Sequence, residues 1–166
     1  MGFFSKLFSK KDKDTKKVLI APLTGKVVPL ETVKDETFAS KMLGDGIAIE
    51  PSNSGVMVAP MDGVVEVTPT LHAFTLESKD GISILVHLGL DTVKLNGEGF
   101  EKLVESGTKV KAGDGIIKYD LEFIKDKVPS VTSPVIVLES EEYKEIIKYE
   151  NQEVHAGQEK IIEIDV

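Results

Sequence analysis

The chain has 166 residues, 41% of them hydrophobic, no cysteine and a formal net charge of −8. That length suits one compact domain with a self-sufficient core, and the missing thiols exclude disulfides, cysteine catalysis and thiolate metal centres. No apolar run is long enough to span a bilayer, and the basic start lacks the apolar stretch of a secretory signal, so a cytosolic protein is expected.

Charge is unevenly spread. Residues 1–17 hold six lysines against Asp12 and Asp14, a balance of +4 that leaves −12 on the rest. A body this acidic argues against nucleic acid and favours encounter with a basic protein partner, although solubility alone would account for the net charge. Within the first 17 residues, Phe3, Phe4, Leu7 and Phe8 would share one helical face bordered by Lys6, Lys10 and Lys11. We expect a flexible basic segment, 1–17, followed by one domain, 18–166. The segment would make weak contact with an anionic membrane surface, leaving the protein cytoplasmic or peripheral at the inner face; a disordered tail is the alternative. Gly2 does not signal myristoylation, because Lys6 stands where that motif needs Ser or Thr.

From Val18 onward the sequence reads as short strands: Val18–Ala21, Lys26–Leu30, Ile47–Glu50, Val56–Ala59, Val64–Thr68, Ala73–Glu77, Ser83–Leu88, Gly115–Tyr119, Val135–Leu138 and Lys160–Val166. Most are bounded by Gly, Pro, Asp or Asn, which predicts an all-β sandwich or barrel. Ala21-Pro22-Leu23-Thr24-Gly25 is echoed 38 residues later by Ala59-Pro60-Met61-Asp62-Gly63, as two related halves would require. Each copy should end one strand, turn and start another. Helices should be few and short: one capped by Asp35 through Phe38, Met42 and Leu43 to Gly44, one around Phe100, Leu103 and Val104, and one over Glu141–Tyr149. Residues 108–114 read as a tight turn.

Three histidines are present, and His155, in a mostly polar stretch, reads as surface. His72 opens an alternating run in which His72, Phe74 and Leu76 face one way. His87 closes an apolar run in which Ser83, Leu85 and His87 share one face and Ile82, Ile84 and Val86 the other. Histidine is rarely chosen for packing in such a run, because its ring nitrogens need partners once removed from water. The polar turn at residues 78–81 suits a hairpin that sets residue 72 roughly opposite residue 87, where Cβ atoms lie about 4.5–5.5 Å apart. The two imidazoles can then meet on one face; two isolated histidines are the alternative.

A pair of neutral imidazoles has two chemical uses. One ring can attack phosphorus without a separate base while the other donates N–H to the phosphoryl oxygens. Thr70, two residues before His72, would hold that ring in the required tautomer. Asp91, four residues after His87, would repel a phosphoryl group and is better suited to meeting a partner's arginine or modulating release. The second use is a metal: His72, His87 and Asp91 could supply three ligands of a zinc site, although neither an H-E-x-x-H nor a His-x-His spacing is present.

At these residues the sequence resembles the glucose-specific IIA family of the phosphoenolpyruvate-dependent sugar phosphotransferase system. The likeness is carried by residues 21–25, Phe38-Ala39 with 44–49, Ala59-Pro60 with Asp62-Gly63, Thr70-Leu71-His72-Ala73-Phe74, and Val86-His87-Leu88-Gly89-Leu90-Asp91-Thr92-Val93. It continues through 97–100 and 110–114 and spans about residues 18–165.

The resemblance implies an antiparallel β-sandwich of jelly-roll and Greek-key character. It implies that His87 accepts a phosphoryl group from the carrier HPr and passes it to a cysteine of a sugar-permease IIB domain, with His72 steadying the group and Thr70 orienting His72. It also implies that Asp35 and Asp91 form an acidic rim, and that Phe38, Met42, Leu43, Ile47, Leu85 and Val93 form an apolar ring where partners dock. No cofactor is required; zinc would bind His72 and His87 only with a partner carboxylate, at a regulatory interface with some other protein. Leu85 stands where relatives often have Phe, and Leu71 where some have Asn or Lys, which bears on partner preference rather than chemistry.

Two other readings are carried. A zinc peptidase of lysostaphin type would need a His with an Asp four residues on and a His-x-His pair; Leu76 stands four after His72, and although Asp91 stands four after His87, Leu85 and Gly89 flank His87 at two residues, so the His-x-His pair is missing. A lipoyl- or biotinyl-type carrier would need a lysine hairpin motif that is absent.

Overall fold

The computed structural model describes residues 16–166. Ten strands come from the expected runs: β1 (Lys16–Ile20), β2 (Gly25–Pro29), β3 (Gly44–Pro51), β4 (Gly55–Val58), β5 (Gly63–Val67), β6 (Ala73–Glu77), β7 (Ser83–His87), β10 (Gly115–Tyr119), β11 (Ser133–Leu138) and β14 (Lys160–Asp165). Four shorter ones were not expected: β8 (Phe100–Lys102), β9 (Lys109–Val110), β12 (Glu145–Lys148) and β13 (Glu153–Val154). Two helices of four residues each, α1 (Glu36–Ala39) and α2 (Leu121–Ile124), interrupt them. β1 takes in Lys16 and Lys17, the last two residues of the expected basic segment; the remainder of that segment lies outside the described residues.

Every strand pairing is antiparallel. The main sheet runs β13-β2-β3-β11-β7-β6-β5-β9, and two three-stranded sheets, β1-β14-β12 and β4-β10-β8, complete the architecture. The main sheet is apolar on both faces, for different purposes. Its inner face alternates Val27, Ile47, Ile49, Val135, Ile84, Val86, Phe74 and Leu76, all buried with Leu19, Met57, Ile117 and Ile162 from the smaller sheets. Its outer face carries a smaller cluster in which Ala48 and Ile136 pack with Leu30, Val33, Phe38 and Leu90, and Leu85 leans on it.

The internal echo is structural. β1 and β4 end just before Ala21 and Ala59, and β2 and β5 start at Gly25 and Gly63. The halves exchange equivalent hydrogen bonds: Ile20 N–H donates to the Pro60 carbonyl and Val58 N–H to the Pro22 carbonyl, each at 2.9 Å. Gly113 N–H bonds the Ala59 carbonyl as Gly157 N–H bonds that of Ala21. Val110-Lys111-Ala112-Gly113 and Val154-His155-Ala156-Gly157 are therefore a second matched pair.

Two expected helices are strands. Phe100–Lys102 pairs with Ile117–Tyr119, and the left-handed backbones of Gly97 and Gly99, both at φ 90°, prevent a helix from entering there. In 141–149 only a single helical turn at Ser140–Glu142 forms; β12 then pairs Ile146 with Ile164, where the branched side chains pack on a pleated surface. The stretch 108–114 contains β9 before its turn. α1 is capped as expected, Asp35 accepting from Thr37 N–H at 2.9 Å, but it stops at Ala39. Lys41 takes φ 64°, which leaves Met42 and Leu43 in a loop rather than on the helix.

Candidate functional site

His87 is the last residue of β7, on the outer face with Leu85. Beyond it the chain turns through Gly89, at φ 69°, and Asp91, at φ 59°. The His87 Nδ1–H donates to the Gly89 carbonyl at 2.8 Å. A carbonyl can only accept, so Nδ1 carries the proton and Nε2 keeps a free lone pair. The Gly89 peptide is itself held: its N–H donates to Ser133 Oγ at 3.1 Å, and the fully buried Ser133 hydroxyl donates to the Val131 carbonyl. A Cβ at position 89 would fall 2.8 Å from the Ser130 carbonyl oxygen, in a backbone conformation that other residues resist.

His72 sits just ahead of β6. The turn before it closes with Leu71 N–H donating to the Thr68 carbonyl, and Leu71 itself adopts φ 61°. The expected register is off by one residue: Ala73, not His72, pairs with His87, while the His72 carbonyl accepts from Leu88 N–H at 2.8 Å. Strand alternation would then send His72 into the core with Phe74 and Leu76. Its position outside the strand, after a left-handed leucine, releases it from that alternation, and its ring meets that of His87 edge-on, centroids 4.8 Å apart at 80°. Thr70 Oγ1 lies 2.7 Å from His72 Nδ1.

Both rings are neutral at pH 7. Burial, and then the neighbouring His87, push His72 down to about 4. Burial also lowers His87, opposed by its bond to the Gly89 carbonyl and by Asp35. Two uncharged imidazoles, one with a bare nitrogen, make a nucleophile beside a hydrogen-bond donor.

The surrounding residues divide. Phe38 packs against His87 at 5.1 Å between centroids, Met42, Leu43 and Val93 are exposed, and Leu85 is half-buried. Ile47 does not belong with them: it pairs with Val135 on the inner face and is fully buried, because the period of two gives the outer face Gly46 and Ala48 instead. Asp91 is exposed, its carboxylate 3.8 Å from Lys94 Nζ, and Asp35 is occupied in capping α1. Asp45, not singled out from sequence, anchors the loop bearing Met42 and Leu43. Its carboxylate binds Lys148 at 3.0 and 3.2 Å, Lys41 lies at 3.6 Å, and Ser140 Oγ accepts from its backbone N–H. His155 is exposed and pairs with Glu159. Among the described residues no group of three or more His, Cys, Asp or Glu is placed to hold a metal, and no helix is long and apolar enough to cross a membrane.

An antiparallel sandwich that sets two neutral imidazoles side by side near exposed apolar side chains has the parts of a group-transfer domain. Residues 17–143 match the family described as phosphoenolpyruvate-dependent sugar phosphotransferase system, EIIA 1. A glucose-specific EIIA component from Staphylococcus epidermidis is 44% identical over 98% of this chain and 99% of its own, and one from Buchnera aphidicola is 43% identical over 98% of each. An N-acetylglucosamine-specific EIICBA component from Klebsiella pneumoniae is 48% identical over 88% of this chain, a match occupying 22% of that longer protein. The solved glucose permease IIA from Mycoplasma capricolum superposes with a TM-score of 0.81 at 39% identity, covering 89% of this chain and 95% of its own. The chain belongs to the EIIA family of the sugar phosphotransferase system. It is thus a phosphotransferase component, a phosphoryl carrier in sugar uptake, and the peptidase and lipoyl-type readings are set aside.

Proposed function

We propose that His87 is the phosphoryl acceptor of this carrier, receiving the group from phospho-HPr and passing it to a cysteine of a sugar-permease IIB domain. The observation that carries the assignment is the Gly89 carbonyl on His87 Nδ1, which leaves Nε2 unprotonated. In the first transfer the Nε2 lone pair forms an N–P bond as the donor's N–P bond breaks. In the second an S–P bond forms on the thiolate as the Nε2–P bond breaks, and neither step needs water. His72 donates Nε2–H to the phosphoryl oxygens, the tautomer favoured when the Thr70 hydroxyl donates to Nδ1. Phe38, Met42, Leu43, Leu85 and Val93 form the apolar ground on which partners dock, with Asp35 and Asp91 meeting basic residues at its edge. Zinc plays no part in the relay; a zinc bridging His72 and His87 would need a partner carboxylate and would serve regulation. Residues 1–17 hold the protein weakly at the inner membrane face.

The test is incubation with phosphoenolpyruvate, enzyme I and HPr, followed by intact mass. One acid-labile phosphoryl addition is expected, lost in His87→Ala. His72→Gln should still be labelled but fail in onward transfer. Label persisting in His87→Ala refutes the assignment.

A further inference from the structure

A second surface lies at the other end of the β6–β7 hairpin. A groove of about 850 Å³ opens between β1, the turn at residues 78–80 and the β9 turn, and five lysines line it: Lys16, Lys17, Lys79, Lys109 and Lys111. Three carboxylates share the groove, Asp62, Glu77 and Asp80, so its side chains sum to +2. The rest of the molecule has the opposite sign: residues 1–15 carry four lysines and two aspartates, and with a total of −8 residues 16–166 sum to −10. A local excess of positive charge on so acidic a body is not the product of average composition. Two of the carboxylates are already engaged, Asp80 with Lys17 at 3.4 Å and Asp62 with the backbone N–H of Ala112. Lys16, Lys79, Lys109 and Lys111 are exposed. Val18 and Val64, two of the large apolar side chains left exposed among the described residues, line the groove with them.

We propose that this groove is an anionic-phospholipid docking surface, the folded half of a two-part membrane contact. Its chemistry fits: exposed ammonium groups attract the negative surface of the inner leaflet, and short apolar side chains among them tolerate the interface. Its position fits as well. The basic stretch of residues 1–15, with Phe3, Phe4, Leu7 and Phe8, joins the described chain at Lys16, which lines the groove. A segment held at a lipid surface therefore delivers these lysines to the same plane, within the roughly 10 Å over which exposed charges act at moderate salt. His87 lies four residues along β7 from Ser83, the partner of the groove residue Glu77, about 14 Å at strand rise, so one surface can be occupied while the other exchanges phosphoryl groups.

The inference is independent of the relay chemistry and extends to the folded body the contact proposed for residues 1–17. The experiment uses the full chain in co-sedimentation with vesicles of phosphatidylglycerol and phosphatidylethanolamine, and with phosphatidylcholine alone. The native chain should bind the anionic vesicles only, with binding falling as salt rises. Lys79→Glu with Lys109→Glu and Lys111→Glu should lower the partition about tenfold or more, and the matching Gln triple should fall in between. A parallel variant, Phe3→Ser with Phe8→Ser, tests the segment by itself. If both lysine triples bind within twofold of native, the groove is not a membrane surface, whatever the segment variant does. Tighter binding by either triple overturns the proposal too, because the lysines would then oppose the contact instead of making it.

Discussion

The ring of Phe38 rests against the imidazole of His87, centroids 5.1 Å apart and planes inclined at 56°. Phe38 is 8% exposed and belongs to the small outer cluster with Leu30, Val33 and Ile136, so one side chain links the stability of α1 to the pose of the proposed acceptor. Phe38→Ala should cost about 3 kcal/mol in urea unfolding and slow phosphoryl acceptance. Phe38→Leu should recover most of the stability and less of the rate, because a branched aliphatic group fills the cluster without bracing the ring. Equal recovery of both would separate the two roles.

Ser133 should matter to chemistry it never touches. Its hydroxyl receives the Gly89 N–H, and the Gly89 carbonyl holds His87 Nδ1. Ser133→Ala leaves that N–H unpaired in a buried site, at a cost of about 1–3 kcal/mol. The histidine tautomer should then become mixed, visible in the ring ¹⁵N shifts of His87, whereas a purely structural loss would leave those shifts unchanged.

Thr70→Val removes the hydroxyl 2.7 Å from His72 Nδ1 and keeps the shape. Labelling of His87 should persist while onward transfer slows by about fivefold to tenfold, the equivalent of one ordinary hydrogen bond. Thr70→Ser should restore it. A Val variant with native transfer kinetics would exclude Thr70 from the relay.

Acid should weaken the fold through His72. Its folded value is depressed to about 4 from 6.5, so between those limits the unfolded chain binds the additional proton. The stabilisation is complete above about 6.5 and is lost as pH falls towards 4, on the order of 3 kcal/mol from this residue alone. Urea midpoints measured across pH 7.5 to 4 should fall accordingly, and His72→Gln should flatten that part of the curve. In NMR the His72 ring should show no titration above about pH 5.

Asp45→Ala should loosen the Lys41–Leu43 loop. It removes the partner of Lys148, a pair whose side chains are 21% and 24% exposed, along with a longer contact to the exposed Lys41, and should cost about 1–3 kcal/mol. Met42 and Leu43 keep their identity but lose their placement, so affinity for a docking partner should drop while the intrinsic reactivity of His87 stays native. Affinity measured by titration calorimetry with HPr would distinguish the two effects.

Sequence periodicity revealed the long strands because each carries its own signal. Ala73–Glu77 and Gly115–Tyr119 match the structure residue for residue. β8, β9, β12 and β13 escaped because strands of two to four residues are defined by their neighbours, and local patterns such as Ile146-Ile147 fit a helix equally well. The histidine pairing was legible from the hairpin, but its register was not, since the left-handed turn at Leu71 leaves no mark in residue type. Ile47 was misplaced onto the outer face for the opposite reason: a family likeness names a position without saying which side of the sheet it occupies. Gly89 drew notice only as part of a motif; its role emerges from the carbonyl it presents.

β1 and β14 lie side by side, with Lys16 directly across from Asp165. The polypeptide therefore enters and leaves the folded unit at one spot, on a smaller sheet rather than on the histidine face. A module wired in this way can be grafted onto a larger chain through a single stalk, or released from one, without rerouting a strand. The same architecture can thus serve as a free-standing shuttle or as one segment of a fused transporter.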